Sequence, residues 1–559
     1  MSGSFVHSPL AGSKRSNAAV FSSATPDFDS PSSMPYGDLW AAKGQRIAQR
    51  HAGAGAAGRD PAHLRVCFFP GSGNTVPHLH EFKEPRLMSA TDTERSDDAR
   101  AKTPGQLTGA VVIVALVSAV SGMLYGYDTG IISGALLQIT KDFGIAEGWK
   151  QLIAASILLG AVIGALVCSY LSDKRGRKGT LLMLGVLFVV GALWCAVSPN
   201  PELLSLGRLV LGFAVGGATQ TAPMYVAELA PPKYRGRLVL CFQIAIGVGI
   251  VIATIVGATE SIPWRWSIGI AAVPAAIMFG LLLRLPESPR WLVKNDNRDT
   301  ARDVLDRVRP SGYDIEGELD EMAELVRKEE TAKTRGWPGL RARWVRPALI
   351  LGCGIAIFTQ LSGIEMIIYY SPTILTDNGF SESVALQVSV GLGVSYLVAQ
   401  LVGLSIIDRV GRRRLTLIMI PGAALSLFVL GTLFVTGNSG RDSVPFIIVC
   451  LIVFMLFNAG GLQLMGWLTG SETYPLAVRP AGTAAQSAAL WGTNLIITLT
   501  LLSLINAIEV GPTMWLYGLF NVAAWIFVYF RMPDLTGRSL EEIERKLSNG
   551  QFRPADFAR

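Results

Sequence analysis

The chain has 559 residues, of which 50% are hydrophobic and 16% charged, with a mean hydropathy of +0.40. Soluble globular domains carry about 25% charged residues, so this composition excludes an ordinary water-soluble enzyme. The net charge of +7 does not read as a nucleic-acid site, because the basic residues sit in short loops beside apolar runs, where they orient a membrane protein.

Residues 1–106 are polar, rich in Ser, Ala, Gly and Pro, and predicted to be disordered. Met88 opens a short polar lead into the first apolar run, so residues 1–87 are expected to come from an upstream start site. All five histidines lie before Met88, so proton chemistry in the apolar body has to use carboxylates. Six cysteines stand singly, and no metal-ligand spacing or nucleotide-binding glycine loop appears. No metal, cofactor or enzymatic activity is expected.

A helix needs about 20 apolar residues to cross a hydrocarbon core. Runs of that length place twelve spans at about 109–133, 150–172, 180–198, 203–226, 239–258, 265–285, 347–370, 385–407, 415–436, 444–469, 480–505 and 512–530. With the N-terminus inside, the inner loops hold twelve basic residues, among them Lys174, Arg175, Lys178, Lys233, Arg237, Arg409, Arg413 and Arg414. The outer loops hold three: Lys141, Lys150 and Arg441. Both termini, including the tail 532–559, are therefore expected on the cytoplasmic side. The charged, helix-patterned stretch 286–346 reads as a cytoplasmic linker between two six-span halves, 107–285 and 347–531.

The halves repeat each other. Asp173-Lys174-Arg175-Gly176-Arg177 follows span two and Asp408-Arg409-Val410-Gly411-Arg412 follows span eight, while Glu228 follows span four and Glu472 span ten. Parallel repeats of this kind build a transporter site at the membrane midplane.

Three ionisable residues lie well inside spans: Asp128 in span one, Arg208 in span four and Glu365 in span seven. Each is costly there and is a functional candidate by default. Counted from the expected span ends at about 1.5 Å per residue, Asp128 and Arg208 share a depth. The pair can be a fixed salt bridge, or one that breaks when Asp128 takes a proton and so turns protonation into a conformational bias.

Over residues 107–545 the chain resembles the sugar porter family of the major facilitator superfamily. The resemblance rests on Gly126-Tyr127-Asp128-Thr129-Gly130, the two D-x-x-G-R loops, Pro286-Glu287-Ser288-Pro289-Arg290 after span six, Gln360-Leu361-Ser362-Gly363-Ile364 with Tyr369-Tyr370 in span seven, and Pro533-Asp534-Leu535-Thr536-Gly537-Arg538 after span twelve. It implies an all-α membrane fold of two six-helix bundles and import of a monosaccharide or polyol with a proton by alternating access, with Asp128 as proton site and Arg208 as its partner. An uncoupled carrier and a non-transporting sugar sensor share the fold and remain the alternatives. The resemblance implies substrate contacts from Gln243, Gln360, Glu365, Tyr369, Trp467, Trp491 and Asn494. It implies a charge latch of Asp173, Arg177, Glu228, Arg235, Glu287 and Arg290 in the first half, and of Asp408, Arg412, Glu472 and Arg479 in the second. The expected partners are the sugar or polyol, protons and the bilayer of the cell membrane, with no nucleic acid, and a single copy is expected to suffice.

Against the family pattern, Thr359 stands where a first glutamine is usual, Glu365 at an asparagine position, and Ile250, Tyr396 and Leu490 at polar positions. Span ten replaces a proline-rich hinge with Gly460-Gly461-Leu462-Gln463, which lets Gln463 enter the cavity. An ionised Glu365 accepts hydrogen bonds only, which suits vicinal hydroxyls or a second proton.

Overall fold

The computed structural model describes residues 109–231, 234–259, 261–332, 334–437 and 443–557. The expectations for residues 1–106 lie outside the described residues, as does the side chain of Arg235. Among the described residues, twelve helical segments are long and apolar enough to cross a membrane, from Gly109–Phe143 to Val510–Arg531. Span one is a single helix that runs to Phe143, ten residues past its expected end, because the segment 134–143 keeps its helical pattern after its apolar run stops. Spans six, seven and ten each break into two helices.

Lipid gives helices no hydrophobic reason to pair, so close backbone packing takes over that role. Span one places Gly122, Gly126, Gly130 and Gly134 four residues apart, on one face. A Cβ added at Gly126 would lie 1.9 Å from the Ile246 carbonyl oxygen of span five, and one at Gly122 would lie 2.2 Å from that of Phe242. Spans two and four use the same device: Gly160 and Gly164 meet the backbone at Leu209 and Phe213, and Gly212 and Gly216 meet it at Ile157 and Ala161. The glycines of the G-Y-D-T-G motif thus seat the helix that carries Asp128.

Span seven breaks after Leu361, where Gly363 takes φ +94°, and restarts as Ile364–Asp377. Span ten breaks at Gly460-Gly461 and restarts as Leu462–Thr473. Both restarts place a helix N-terminus, with its positive dipole end, inside the bundle. Glu365 and Gln463 fall in those first turns.

Between the halves, three linker helices begin at side-chain caps: Ser288 accepts from the Trp291 amide, Asn297 from Thr300 and Asp314 from Gly317. Arg309 fastens this layer to the first bundle. Its guanidinium donates to both carboxylate oxygens of Glu318 at 2.7 and 2.9 Å and to the Leu229 carbonyl at 2.7 Å, at the end of span four.

Two tests follow from this packing. Gly126→Val puts a side chain through span five's backbone and is expected to cost about 3 kcal/mol or more, read as loss of the monodisperse peak in gel filtration. Arg309→Met leaves Glu318 buried without its cation and is expected to cost about 3–5 kcal/mol, read as a lowered Tm in detergent.

Candidate functional site

Asp128 and Arg208 are 5% and 1% exposed. The structure brings them together across spans one and four, with Nη2 3.9 Å from Oδ2. That is an ion pair without a hydrogen bond. Arg208 instead spends its Nε–H on the Ile153 carbonyl at 2.8 Å, and its Nη1 has no partner. The longer first helix means that depth counted from helix ends would separate the two residues; their shared depth follows from the apolar boundaries.

A cavity of about 850 Å³ runs between the bundles from the face that carries the D-x-x-G-R loops. Its mouth holds Asp173, Arg177, Glu228, Arg290 and Arg479, and it reaches inward to Gln243, Trp467 and Gln486. The other expected substrate residues lie buried outside its lining: Gln360, Glu365, Tyr369, Trp491 and Asn494. Tyr125 of span one meets Trp491 edge-on at 5.1 Å and Trp467 at 6.3 Å, so an aromatic triad from both bundles stands between the open cavity and this layer. Tyr125 was not expected, although it lies one helical turn before Asp128.

The buried layer is short of hydrogen bonds. Gln360 and Gln400 are each 0% exposed, and neither the oxygen nor the nitrogen of either amide has a partner. The same holds for both amide atoms of Asn458, and for Glu365 Oε2, Gln463 Oε1, Trp491 Nε1, Asn494 Nδ2 and Gln243 Nε2. Buried polar groups are ordinarily paired, and each orphan costs about 1–3 kcal/mol. A concentration of them between two bundles has the form of a site made for a polyhydroxylated guest. Tyr369 is buried in the same layer, and Tyr370 donates to the Thr498 carbonyl of span eleven at 3.1 Å.

At the loop face, Arg177 forks onto both oxygens of Glu228 at 2.9 and 3.2 Å and reaches Asp173 at 3.2 Å. Glu287 accepts from the backbone amides of Arg177 and Lys178 at 2.9 and 3.0 Å and so caps the start of span three. Gly176 has φ +89°, and a Cβ there would lie 2.2 Å from Glu287 Oε2, which accounts for the glycine in the loop motif. Ser288 donates to Glu228, and the Trp291 indole N–H donates to the Asp173 carbonyl. Arg290 pairs instead with Glu329 of the linker at 2.7 Å.

The second half repeats the plan. Arg412 pairs with Asp408 at 2.7 Å and Glu472 at 3.1 Å, and Gly411, at φ +92°, faces Asp534. Asp534 stands against Gly411 as Glu287 stands against Gly176, and Thr536, which donates to Asp534, accepts from the Arg412 amide at 3.4 Å. Arg479 departs from the expected arrangement. Arg412 already occupies both oxygens of Glu472, so Arg479 lines the cavity and donates to the Tyr474 carbonyl at 3.1 Å.

On the opposite face the bundles touch. Lys141 pairs with Glu382, Asn506 donates to Glu147, and Gln151 meets Ser503. The molecule is therefore open on the loop face and pinned on the other.

A two-bundle molecule with twelve helices long and apolar enough to span a membrane, a midplane layer of unpartnered polar groups and access from one face has the architecture of a membrane transporter. The family described as "Sugar (and other) transporter" matches residues 114–547, and the chain belongs to this sugar porter family of the major facilitator superfamily. It is 36% identical over 435 residues to the D-xylose transporter of Levilactobacillus brevis, covering 77% of this chain and 94% of that one. It is 32% identical over 456 residues to the galactose-proton symporter of Escherichia coli, covering 81% of this chain and 97% of that one. Among solved structures it is similar to the inward open conformation of the E. coli xylose transporter, with a TM-score of 0.65 and 26% identity, covering 78% of this chain and 99% of that one.

The Glu287 cap is testable outside transport. Glu287→Ala frees two amides at the positive end of span three and is expected to cost about 1–2 kcal/mol, measured as a fall in Tm with the helical circular dichroism unchanged.

Proposed function

We propose that the protein carries a monosaccharide or polyol together with a proton into the cell, with both termini cytoplasmic. The observation that carries this reading is the Asp128–Arg208 pair, which is buried and held at 3.9 Å without a hydrogen bond. A carboxylate in that position can gain a proton without first breaking a strong bond, and the gain removes the charge that draws span one toward span four. Proton arrival and bundle movement are then one event. Glu228, Arg177, Glu472 and Arg412 hold the loop-face ends of neighbouring helices together within each bundle, so that the bundles move as units.

The substrate lies between Gln243 and Trp467 at the end of the cavity and Gln360, Glu365, Tyr369 and Asn494 behind the aromatic triad, to which Trp491 belongs. Amides both donate and accept, which suits sugar hydroxyls, and a tryptophan face packs on the C–H side of a ring. The relatives named a D-xylose transporter and a galactose-proton symporter support this class of substrate. Glu365, a carboxylate in the first turn of a half-helix, favours ligands with several donating hydroxyls.

The test is uptake of labelled glucose, xylose, galactose, mannitol and myo-inositol into proteoliposomes, with and without an inward proton gradient. The parent protein is expected to accumulate its substrate, and uptake is expected to fall as the external pH rises. Asp128→Asn is expected to keep sugar exchange and lose accumulation, its ratio falling to about one. Parent uptake that ignores the gradient would make the protein an uncoupled carrier.

A further inference from the structure

Gln400 in span eight, with both amide atoms unpartnered, and Gln463 in span ten, with its oxygen unpartnered, have no substrate role assigned above. Gln400 faces the seam between the bundles: a Cβ built on Gly247 of span five would lie 3.2 Å from its Oε1, and Gly247 is one helical turn beyond Gln243. Gln463 opens the second half of span ten. Its turn is joined to span seven where Thr359 Oγ1 donates to the Leu462 carbonyl at 3.5 Å, and Gly466 packs on Thr359. The phenol of Tyr396 lies within hydrogen-bonding reach of both amides and within electrostatic reach of Glu365. Gln400, Gln463 and Glu365 therefore belong to one polar patch.

The orphaned atoms of the layer include acceptors and donors. An ionised Glu365 only accepts, Gln463 leaves a carbonyl oxygen free, and Gln360 and Gln400 each leave both a carbonyl oxygen and an amide nitrogen free. Span eleven offers donors: Trp491 Nε1 donates only, and Asn494 Oδ1 is taken by the Thr498 hydroxyl at 3.2 Å, which turns Asn494 Nδ2 toward the site. A hydroxyl can satisfy either wall, whereas the ring oxygen of a cyclic sugar can satisfy only donors.

We propose that Gln400 and Gln463 are further substrate-contacting residues that receive hydrogen bonds from substrate hydroxyls on the side of spans seven, eight and ten. This assignment rests on the transporter reading above and adds two residues that the family motifs do not mark.

The experiment uses the full chain in nanodiscs with D-glucose, D-xylose, D-galactose and myo-inositol as probes, followed by the series of monodeoxy and monodeoxyfluoro analogues of whichever binds. Fluorine keeps weak acceptor character and loses the donated proton, so one or two analogues are expected to bind about tenfold more weakly than the parent sugar. Gln400→Leu and Gln463→Leu are each expected to weaken the parent sugar about tenfold and to add no further loss for one of those same analogues. Without ligand, both variants are expected to have a Tm equal to or above that of the parent protein, because leucine removes an orphaned amide. An amide that only holds the helices together would lower the Tm instead.

Unchanged affinity in both variants, or a loss of the same size for every analogue, overturns the assignment and leaves the transporter reading standing. Failure of all four probes and of mannitol to bind or be taken up overturns the reading and the assignment together.

Discussion

Hydrocarbon offers no hydrogen-bond partners, and every polar group placed in it has to find one inside the protein. Most of this molecule obeys that constraint in the simplest way. Serines and threonines along the spans bond back to a carbonyl one turn earlier, as Ser121 does to Val117 and Thr469 to Met465. The exceptions gather most densely in one layer. Where spans seven and ten break and spans five, eight and eleven pass, amides, an indole and a carboxylate stand without partners. The rest of the structure supports that layer: glycine-seated helices fix its walls, the aromatic triad covers it, and the open cavity leads to it.

The two halves share a plan and differ in its execution. Each has an arginine forked onto an acid from the fourth helix of its bundle, and a carboxylate from beyond its sixth helix set against the glycine of its loop. The first half is held by repeated glycine contacts between spans one and five and between spans two and four. The second half carries two broken spans and most of the unpartnered polar atoms. A rigid half bearing the ionisable pair works against an adaptable half bearing the polar site, and Tyr125 is where the first reaches across to the second.

Much of the fold was legible because membrane spans are set by length and apolarity alone, and twelve runs met both tests. The end of span one was not, since apolarity marks where the lipid stops and says little about where a helix stops. Asp128, Arg208 and Glu365 stood out because a charge inside an apolar run needs a reason. The motif around Gly176 was visible as a string, but its purpose required Glu287, 110 residues away in sequence. Gln400 was missed for a different reason. A single amide in an apolar helix gives no sign of which way it faces, and it gained meaning only when Gly247 was found across the seam. Which arginine reaches Glu472 was not legible either, because sequence supplies acids and bases without saying which of them pair.

The cap of span three also bears on how the chain is made. Its first two free amides are closed by a residue lying beyond span six, and span nine relies likewise on residues beyond span twelve. At a synthesis rate of about 5–20 residues per second, the third helix stands in the bilayer for roughly 5–20 seconds before its cap emerges from the ribosome. Each bundle is thus sealed by its own last-made segment, so an incomplete half shows the cell's quality control an exposed helix end.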